Sequence, residues 1–271
     1  MLLMTSCLNP GGMGYTVLQD VEERRKQYLE AVKFYIEHTK FKIVFCDNSG
    51  EDISELSQFG GSNRIELLSY YGNDYDKTLG KGYGEFNIIK YAFGNSRFIK
   101  GSSNTIKVTG RLTVGDLNEV KRLKDMMIPR QRRFVLASMD SRHKECDSRC
   151  LFADNDFYVR YFLMQENKIN DSKGYYFEHL LYDTIKDLPS DYVVSDFMLP
   201  LVINGVSGTS GRIYNAKPME YEKKLVEIRN LCEFKKQQFK GNDKRMYFRL
   251  SVISFGIRVK KAAYFRIRGL L

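Results

Sequence analysis

The sequence predicts an α/β protein: a sheet built on parallel strands with helices packed on its faces. Two observations carry this. Short apolar runs alternate with segments of helical periodicity, in the order strand, helix, strand, and the pattern then repeats. The run Phe-Lys-Ile-Val-Phe-Cys at 41–46 also delivers Asp47 into the turn Asp47-Asn48-Ser49-Gly50. Acids at strand ends of this kind mark the edge where open α/β sheets bind ligands.

Each element has its own signal. Residues 2–8 form an apolar run stopped by Asn9-Pro10-Gly11-Gly12, which cannot continue a strand. From Asp20 to Thr39, Val21, Tyr28, Leu29, Val32, Tyr35 and Ile36 recur at helical spacing, with Glu22 and Glu23 suiting the amino end. After the strand 41–46, a second round follows as strand 64–69, helix 83–95 and strand 105–112. Further on, 115–128 reads as a helix, 132–139 and 149–153 as strands, 155–164 as an aromatic-rich helix and 174–187 as a helix. An apolar strand is expected near 194–204, then a Gly/Ser loop to Gly211. A charged helix is expected over 218–239, with a hinge at 240–243 before a basic tail.

At 271 residues, with 43% hydrophobic and 28% charged, the chain has the composition of a globular protein and excludes disorder and a disulfide miniprotein. Five cysteines, odd in number and partly inside apolar runs, read as reduced thiols. Cys146 and Cys150 have only His143 close by, a weak basis for zinc. No run approaches the roughly 18 apolar residues of a membrane span. The opening Met-Leu-Leu-Met reads as a strand and not as a leader, so a cytoplasmic location is expected.

The net charge of +10 is concentrated at the end of the chain. Residues 245–271 carry seven cations and no acid, leaving +3 for residues 1–244. Their interleaving with Tyr247, Phe248, Phe255, Tyr264 and Phe265 suits an anionic membrane surface, met peripherally on its inner face. A terminal helix packed by its apolar side is the alternative. No helix-turn-helix, zinc-finger or RNP pattern supports nucleic acid as the partner.

The order strand, Asn-Pro loop, Arg-containing helix, strand and Asp47-Asn48-Ser49-x-x-Asp52 resembles the opening of the GT-A glycosyltransferases, above all glycosyltransferase family 2. The stretch Gly80-Lys81-Gly82-Tyr83-Gly84-Glu85, leading into a helix, resembles that family's small-residue loop. The likeness covers residues 1–112 well and 113–215 loosely. It implies a GT-A-like, Rossmann-type mixed sheet over 1–240, with 1–112 as the nucleotide-sugar half, 113–215 as the acceptor half and 241–271 as a basic helical tail. It also implies a nucleotide-sugar donor and a carbohydrate or lipid-linked acceptor, as in surface polysaccharide or glycolipid synthesis.

On this resemblance Asn9, Pro10, Gly11, Asp47 and Asn48 would hold the nucleoside, although Asp47 to Gly50 is equally a turn by composition. The family's Asp-x-Asp motif is missing where the strand 105–112 ends, and Lys107-Val-Thr-Gly-Arg111 stands there instead. Arg111, with Lys81, Gly82 and Lys107, would then grip the diphosphate without a metal. A strand-end salt bridge is the competing account of Arg111. A literal Asp154-x-Asp156 follows 150–153 and could take a divalent metal, but a helix cap explains Asp154 more simply. The catalytic base is assigned to Glu178 or Asp171, with Asp171 also readable as a cap. A nucleotidyltransferase lacks its basic Gly-rich loop here, since Asn9 to Gly14 carries no cation. A basic binding protein without catalysis is the nonenzymatic alternative.

Overall fold

The computed structural model describes residues 1–14, 16–197 and 201–214. The helix expected at 218–239, the hinge at 240–243, the tail at 245–271 and Cys232 lie outside the described residues.

The chain divides into two compact units. The first comprises Met1–Val114, Arg132–Asp196 and Ile203–Tyr214. Its strands are β1 (Leu2–Ser6), β2 (Ile43–Asp47), β3 (Ile65–Ser69), β4 (Asn104–Thr109), β5 (Thr113–Val114), β6 (Arg133–Leu136), β7 (Met139–Asp140), β8 (Glu145–Cys146), β9 (Cys150–Asp154), β10 (Tyr192–Ser195), β11 (Ile203–Val206) and β12 (Ile213–Tyr214). Seven of them form one sheet in the order β10-β6-β9-β4-β1-β2-β3. Strands β4, β1, β2 and β3 run parallel, as do β6 and β10, while β9 runs antiparallel to both of its neighbours. The sheet is therefore mixed. Residues 1–112 supply β1, β2, β3 and β4 of this sheet, and residues 113–215 supply β6, β9 and β10.

Every residue of β1 and β2 is buried, because helices cover the two faces of the sheet, and both strands are apolar up to their polar carboxyl ends, Thr5-Ser6 and Asp47. Helix α1 (Val21–His38) starts at Asp20, whose side chain accepts from the Glu23 amide at 2.7 Å, with Glu22 and Glu23 beside the positive helix end. It buries Tyr28, Ala31, Val32 and Tyr35, and Tyr28 meets Phe45 of β2 edge to face at 5.5 Å. After a single turn α2 (Gly61–Arg64), the main helix of the other face is α3 (Lys81–Asn95), followed by the short α4 (Arg97–Lys100). Phe86, Ile89 and Ala92 of α3 share a core with Leu3, Val44 and Cys46. Each such large side chain contributes roughly 1.5–3 kcal/mol of burial.

The same core takes in α7 (Phe177–Lys186) and the aromatic segment before it. The helix expected over 155–164 is helical but not uniform: α6 (Asn155–Phe157) widens into a π turn over Tyr158–Phe162 and then tightens into a 3-10 stretch over Leu163–Lys168. A π turn aligns residues five apart, so Phe157 and Phe162 stack at 6.1 Å while Tyr158 stays inside with them.

The strand expected at 194–204 is two strands in different sheets, β10 and β11. The Gly/Ser segment expected as a loop is largely a hairpin: β11 turns back into β12 and pairs on its other side with β5, with Ile203 opposite Val114. The second unit contains Gly115–Gln131, with helix α5 (Leu117–Met127), and the described part of Phe197–Val202; the Gly115 amide donates to the Val202 carbonyl at 2.8 Å. Among the described residues no helix is long and apolar enough to cross a membrane.

Candidate active site

Because β1, β2 and β4 are parallel, their carboxyl ends at Ser6, Asp47 and Thr109 open on one edge of the sheet. Strand β9 runs the other way, with Cys150 opposite Val108, so the turn entering it, 147–149, reaches the same edge. A cavity of about 340 Å³ lies there. In sheet order its floor passes from Asp147, Ser148 and Arg149 before β9, through Thr109 and Arg111 after β4 and Ser6 and Cys7 at β1, to Asn48 at β2 and Asn73 and Tyr75 after β3. Helix α3 adds Lys81 and Glu85, α7 adds Glu178, and the hairpin turn adds Ser207, Gly208 and Thr209.

Asp47 does not line this cavity. It is fully buried, and its carboxylate already takes four donors: Ser6 Oγ at 2.6 Å and the Leu8 amide at 2.8 Å on one oxygen, the Ser49 amide at 2.8 Å and Ser49 Oγ at 2.5 Å on the other. The nucleoside contact expected of Asp47 is thus replaced by a fastening of the loop after β1 to the turn after β2. Asn48 lines the cavity in its stead: it is buried, and its Oδ1 has no hydrogen-bond partner among the described residues.

Three cations face the cavity without an ion-pairing carboxylate among the described residues. Arg24 of α1 is buried and spends its donors on main-chain oxygens, Nε on Cys7 O at 2.9 Å and Nη1 on Leu18 O at 3.1 Å. Arg111 is 8% exposed and donates from Nη1 to Gln27 Oε1 at 2.9 Å and Val206 O at 3.3 Å, while its Nε has no partner. The strand-end salt bridge that competed for Arg111 is therefore not made. Lys81, at the start of α3, donates to Thr209 Oγ1. Cys7 sits among these groups, but burial first and Asp47 second push its thiol up to about 12, so it stays protonated and is no nucleophile.

Of the two candidate bases, Glu178 lines the cavity on its β9 side and Asp171 does not line it. Glu178, in the first turn of α7, accepts from Ser148 Oγ at 2.7 Å. Asp171 is half-buried against Gly80, with Oδ1 unpartnered; burial, and then the charge of Glu178, raise its proton affinity against the pull of Lys81. It opens a 3-10 turn whose cap is Asn170, so it is not itself the cap. Arg149 donates to Asp147 along one guanidinium edge, from Nε at 2.8 Å and Nη2 at 2.6 Å, and lies over the Tyr214 ring.

Several expected contacts sit elsewhere. Lys107 is 1% exposed, paired with Glu85 and bonded to Ser148 O at 2.5 Å, so it supports the cavity floor and does not reach a phosphate. Gly82 is the crossing point of α3 and α7, since a Cβ there would stand 2.8 Å from that of Phe177. Pro10 lines the cavity; Asn9 and Gly11 do not, and Asn9 instead bonds Glu51 at 3.1 Å and accepts from the Gly11 amide. Asp154 opposes Asn104, at the far edge of the sheet. Its Oδ2 accepts from the Phe134 amide at 2.6 Å and it does not cap α6, while Asp156 pairs with Arg133 at 3.1 Å and Arg160 at 2.7 Å. With these partners in place the two acids do not fit a divalent metal, and among the described residues no cluster of three or more ligating side chains could hold one. His143 is turned to Asp140 at 2.8 Å, and Cys146 and Cys150 are buried as free thiols.

Sequence reasoning missed Arg24, Glu85, the 147–149 turn and the 207–209 turn. Arg24 carried a readable signal, as a cation in the first turn of the helix after the β1 loop, whereas Glu85 lies one turn into α3.

No family model and no curated protein matches the chain. Among solved structures it is similar to a crystal structure from Desulfovibrio desulfuricans G20 described as a "putative nucleotide-diphospho-sugar transferase". The identity is 12% and the TM-score 0.40, over 95% of this chain and 96% of that one. A likeness this distant contributes nothing to the chemistry, which rests on the cavity.

Proposed function

We propose that this protein is a glycosyltransferase that moves a sugar from a nucleotide donor to a carbohydrate or lipid-linked acceptor. The observation that carries the reading is the pair of buried guanidiniums, Arg24 and Arg111, without carboxylate partners among the described residues, in one cavity with the acid Glu178. Uncompensated buried charge is costly, and an anionic ligand is what offsets it. A diphosphate over β1 and β4 would leave the nucleoside against Asn48, Asn73 and Tyr75 and the sugar toward Glu178 and Asp147.

In the reaction an acceptor hydroxyl oxygen bonds to the anomeric carbon as the bond to the phosphate oxygen breaks. The hydroxyl proton passes to Glu178 or Asp171, and the electron pair stays on the phosphate, where Arg111 stabilises the charge. Attack opposite to the leaving group inverts the sugar carbon. Fixed guanidiniums do here what a bound metal does elsewhere, so the reaction is metal-independent. The location on the inner face of a membrane rests on residues 245–271 alone.

A thermal-shift panel of UDP-, GDP-, CMP- and dTDP-sugars, with and without EDTA, tests this. At least one donor raises the melting temperature, and EDTA leaves the rise intact. No stabilisation by any donor would defeat the donor-site assignment; stabilisation lost to EDTA would defeat the role given to Arg111.

A further inference from the structure

Ser148 stands in the middle of the 147–149 turn, whose main chain is tied down on both sides. The Asp147 amide donates to Ser138 O at 2.8 Å, the Arg149 amide to Asp147 Oδ1 at 3.0 Å, and Arg149 O accepts from the Thr109 amide at 3.0 Å. Ser148 O accepts from Lys107 Nζ at 2.5 Å, and that ammonium also stands 5.6 Å from the ring centre of Phe177, the first residue of α7 and the neighbour of Glu178. The buried Lys107 thus ties the turn to the start of the helix. Across this junction Ser148 Oγ donates its one proton to Glu178 Oε1 at 2.7 Å. No described residue donates to the other oxygen, Oε2. Ser148 and Glu178 both line the cavity, and Asp171 does not.

We infer that Ser148 is a positioning residue for the base, and that Glu178, not Asp171, is the base it serves. The terminal torsion of a glutamate is broad and two-fold, so an unpinned carboxylate presents either oxygen in many orientations. The Ser148 hydroxyl occupies Oε1 and leaves the lone pairs of Oε2 for the acceptor. The acceptor's hydroxyl proton passes to Oε2 as its oxygen bonds to the anomeric carbon and the phosphate oxygen leaves with the electron pair. Lys107 acts one step further back, by holding the turn that carries Ser148. This inference rests on the transferase reading above and deepens it.

Steady-state release of nucleoside diphosphate or CMP by the full chain tests it, from UDP-, GDP-, dTDP- and CMP-sugars with free hexoses, methyl hexosides or water as acceptor. The proteins compared are the wild type, Ser148→Ala, Ser148→Thr, Glu178→Gln and the Ser148→Ala/Glu178→Gln double variant. Ser148→Ala lowers kcat about tenfold with the donor KM within about twofold, and Ser148→Thr restores kcat to within about threefold of the wild type. Glu178→Gln lowers kcat about 100-fold or more. Adding Ser148→Ala to Glu178→Gln then costs less than about twofold, because a hydroxyl that acts only through the carboxylate has nothing left to orient. An unchanged kcat in Ser148→Ala, or a loss as large in the Glu178→Gln background as in the wild type, overturns the positioning role and leaves the transferase reading standing. Full activity of Glu178→Gln overturns the base assignment as well. No release from any donor defeats the transferase reading and this inference with it.

Discussion

Replacing Lys107 with Met should destabilise the protein well beyond the loss of one surface charge. The methionine keeps most of the side-chain stem, so packing changes little and the loss is electrostatic. The ammonium has two partners, Glu85 Oε1 and Ser148 O. Without it the Glu85 carboxylate keeps one donor among the described residues, Thr5 Oγ1 at 3.0 Å. Breaking one side of a fully buried ion pair costs about 3–5 kcal/mol. Glu85 retains 23% of its side-chain exposure toward the cavity, which admits water and lowers that figure to about 2–3 kcal/mol. The melting midpoint should then fall by roughly 4–12 °C for a chain of this size. Urea and thermal denaturation of Lys107→Met, Glu85→Gln and the double variant give the coupling directly, and the double variant should recover much of the loss. A loss under about 1 kcal/mol for Lys107→Met, or a double variant as unstable as the sum of the singles, would refute the interior pair.

Asp47→Asn should cost about 2–4 kcal/mol in urea denaturation, because each carboxylate oxygen receives a main-chain N–H, from Leu8 or Ser49, that cannot turn away from an amide NH2. Unchanged stability with weakened nucleotide binding would return Asp47 to direct ligand contact. Asp171→Asn should raise the melting temperature at pH 7 relative to the wild type. The folded state raises the proton affinity of Asp171, so its ionisation penalises folding above the ordinary carboxylate range and the penalty disappears once both states are protonated. The advantage of the variant should therefore shrink as pH falls toward about 3; a constant or growing advantage on acidification would contradict this.

The centre of the sheet was legible because strands covered on both faces are mostly apolar, as 2–4 and 43–46 are, with the polar residues Thr5, Ser6 and Asp47 only at their carboxyl ends. Arg111 was legible as a cation where the resemblance led one to expect an acid pair. The role of Asp47 was not, since its partners are backbone amides whose direction depends on a loop folded back on itself. Gly82 looked like a ligand contact because small residues serve both close ligand approach and close helix packing, and only the position of Phe177 separates the two. Lys107 resembled a free cation because its partner Glu85 lies on a helix that the sheet brings alongside. The reversal of β9 had no local signal, as the short β7–β8 hairpin that turns the chain around pairs only two residues per strand.

That reversal gives the two ends of one five-residue strand opposite weight. Changes in length or charge at 154–156 act at the edge away from the cavity, whereas the same changes at 147–149 alter its wall, beside Ser148 and the carboxylate of Glu178. Variation among related chains should therefore answer to the hydrogen bonds and ion pairs of Asp154 and Asp156 at the first of these ends and track substrate choice at the second.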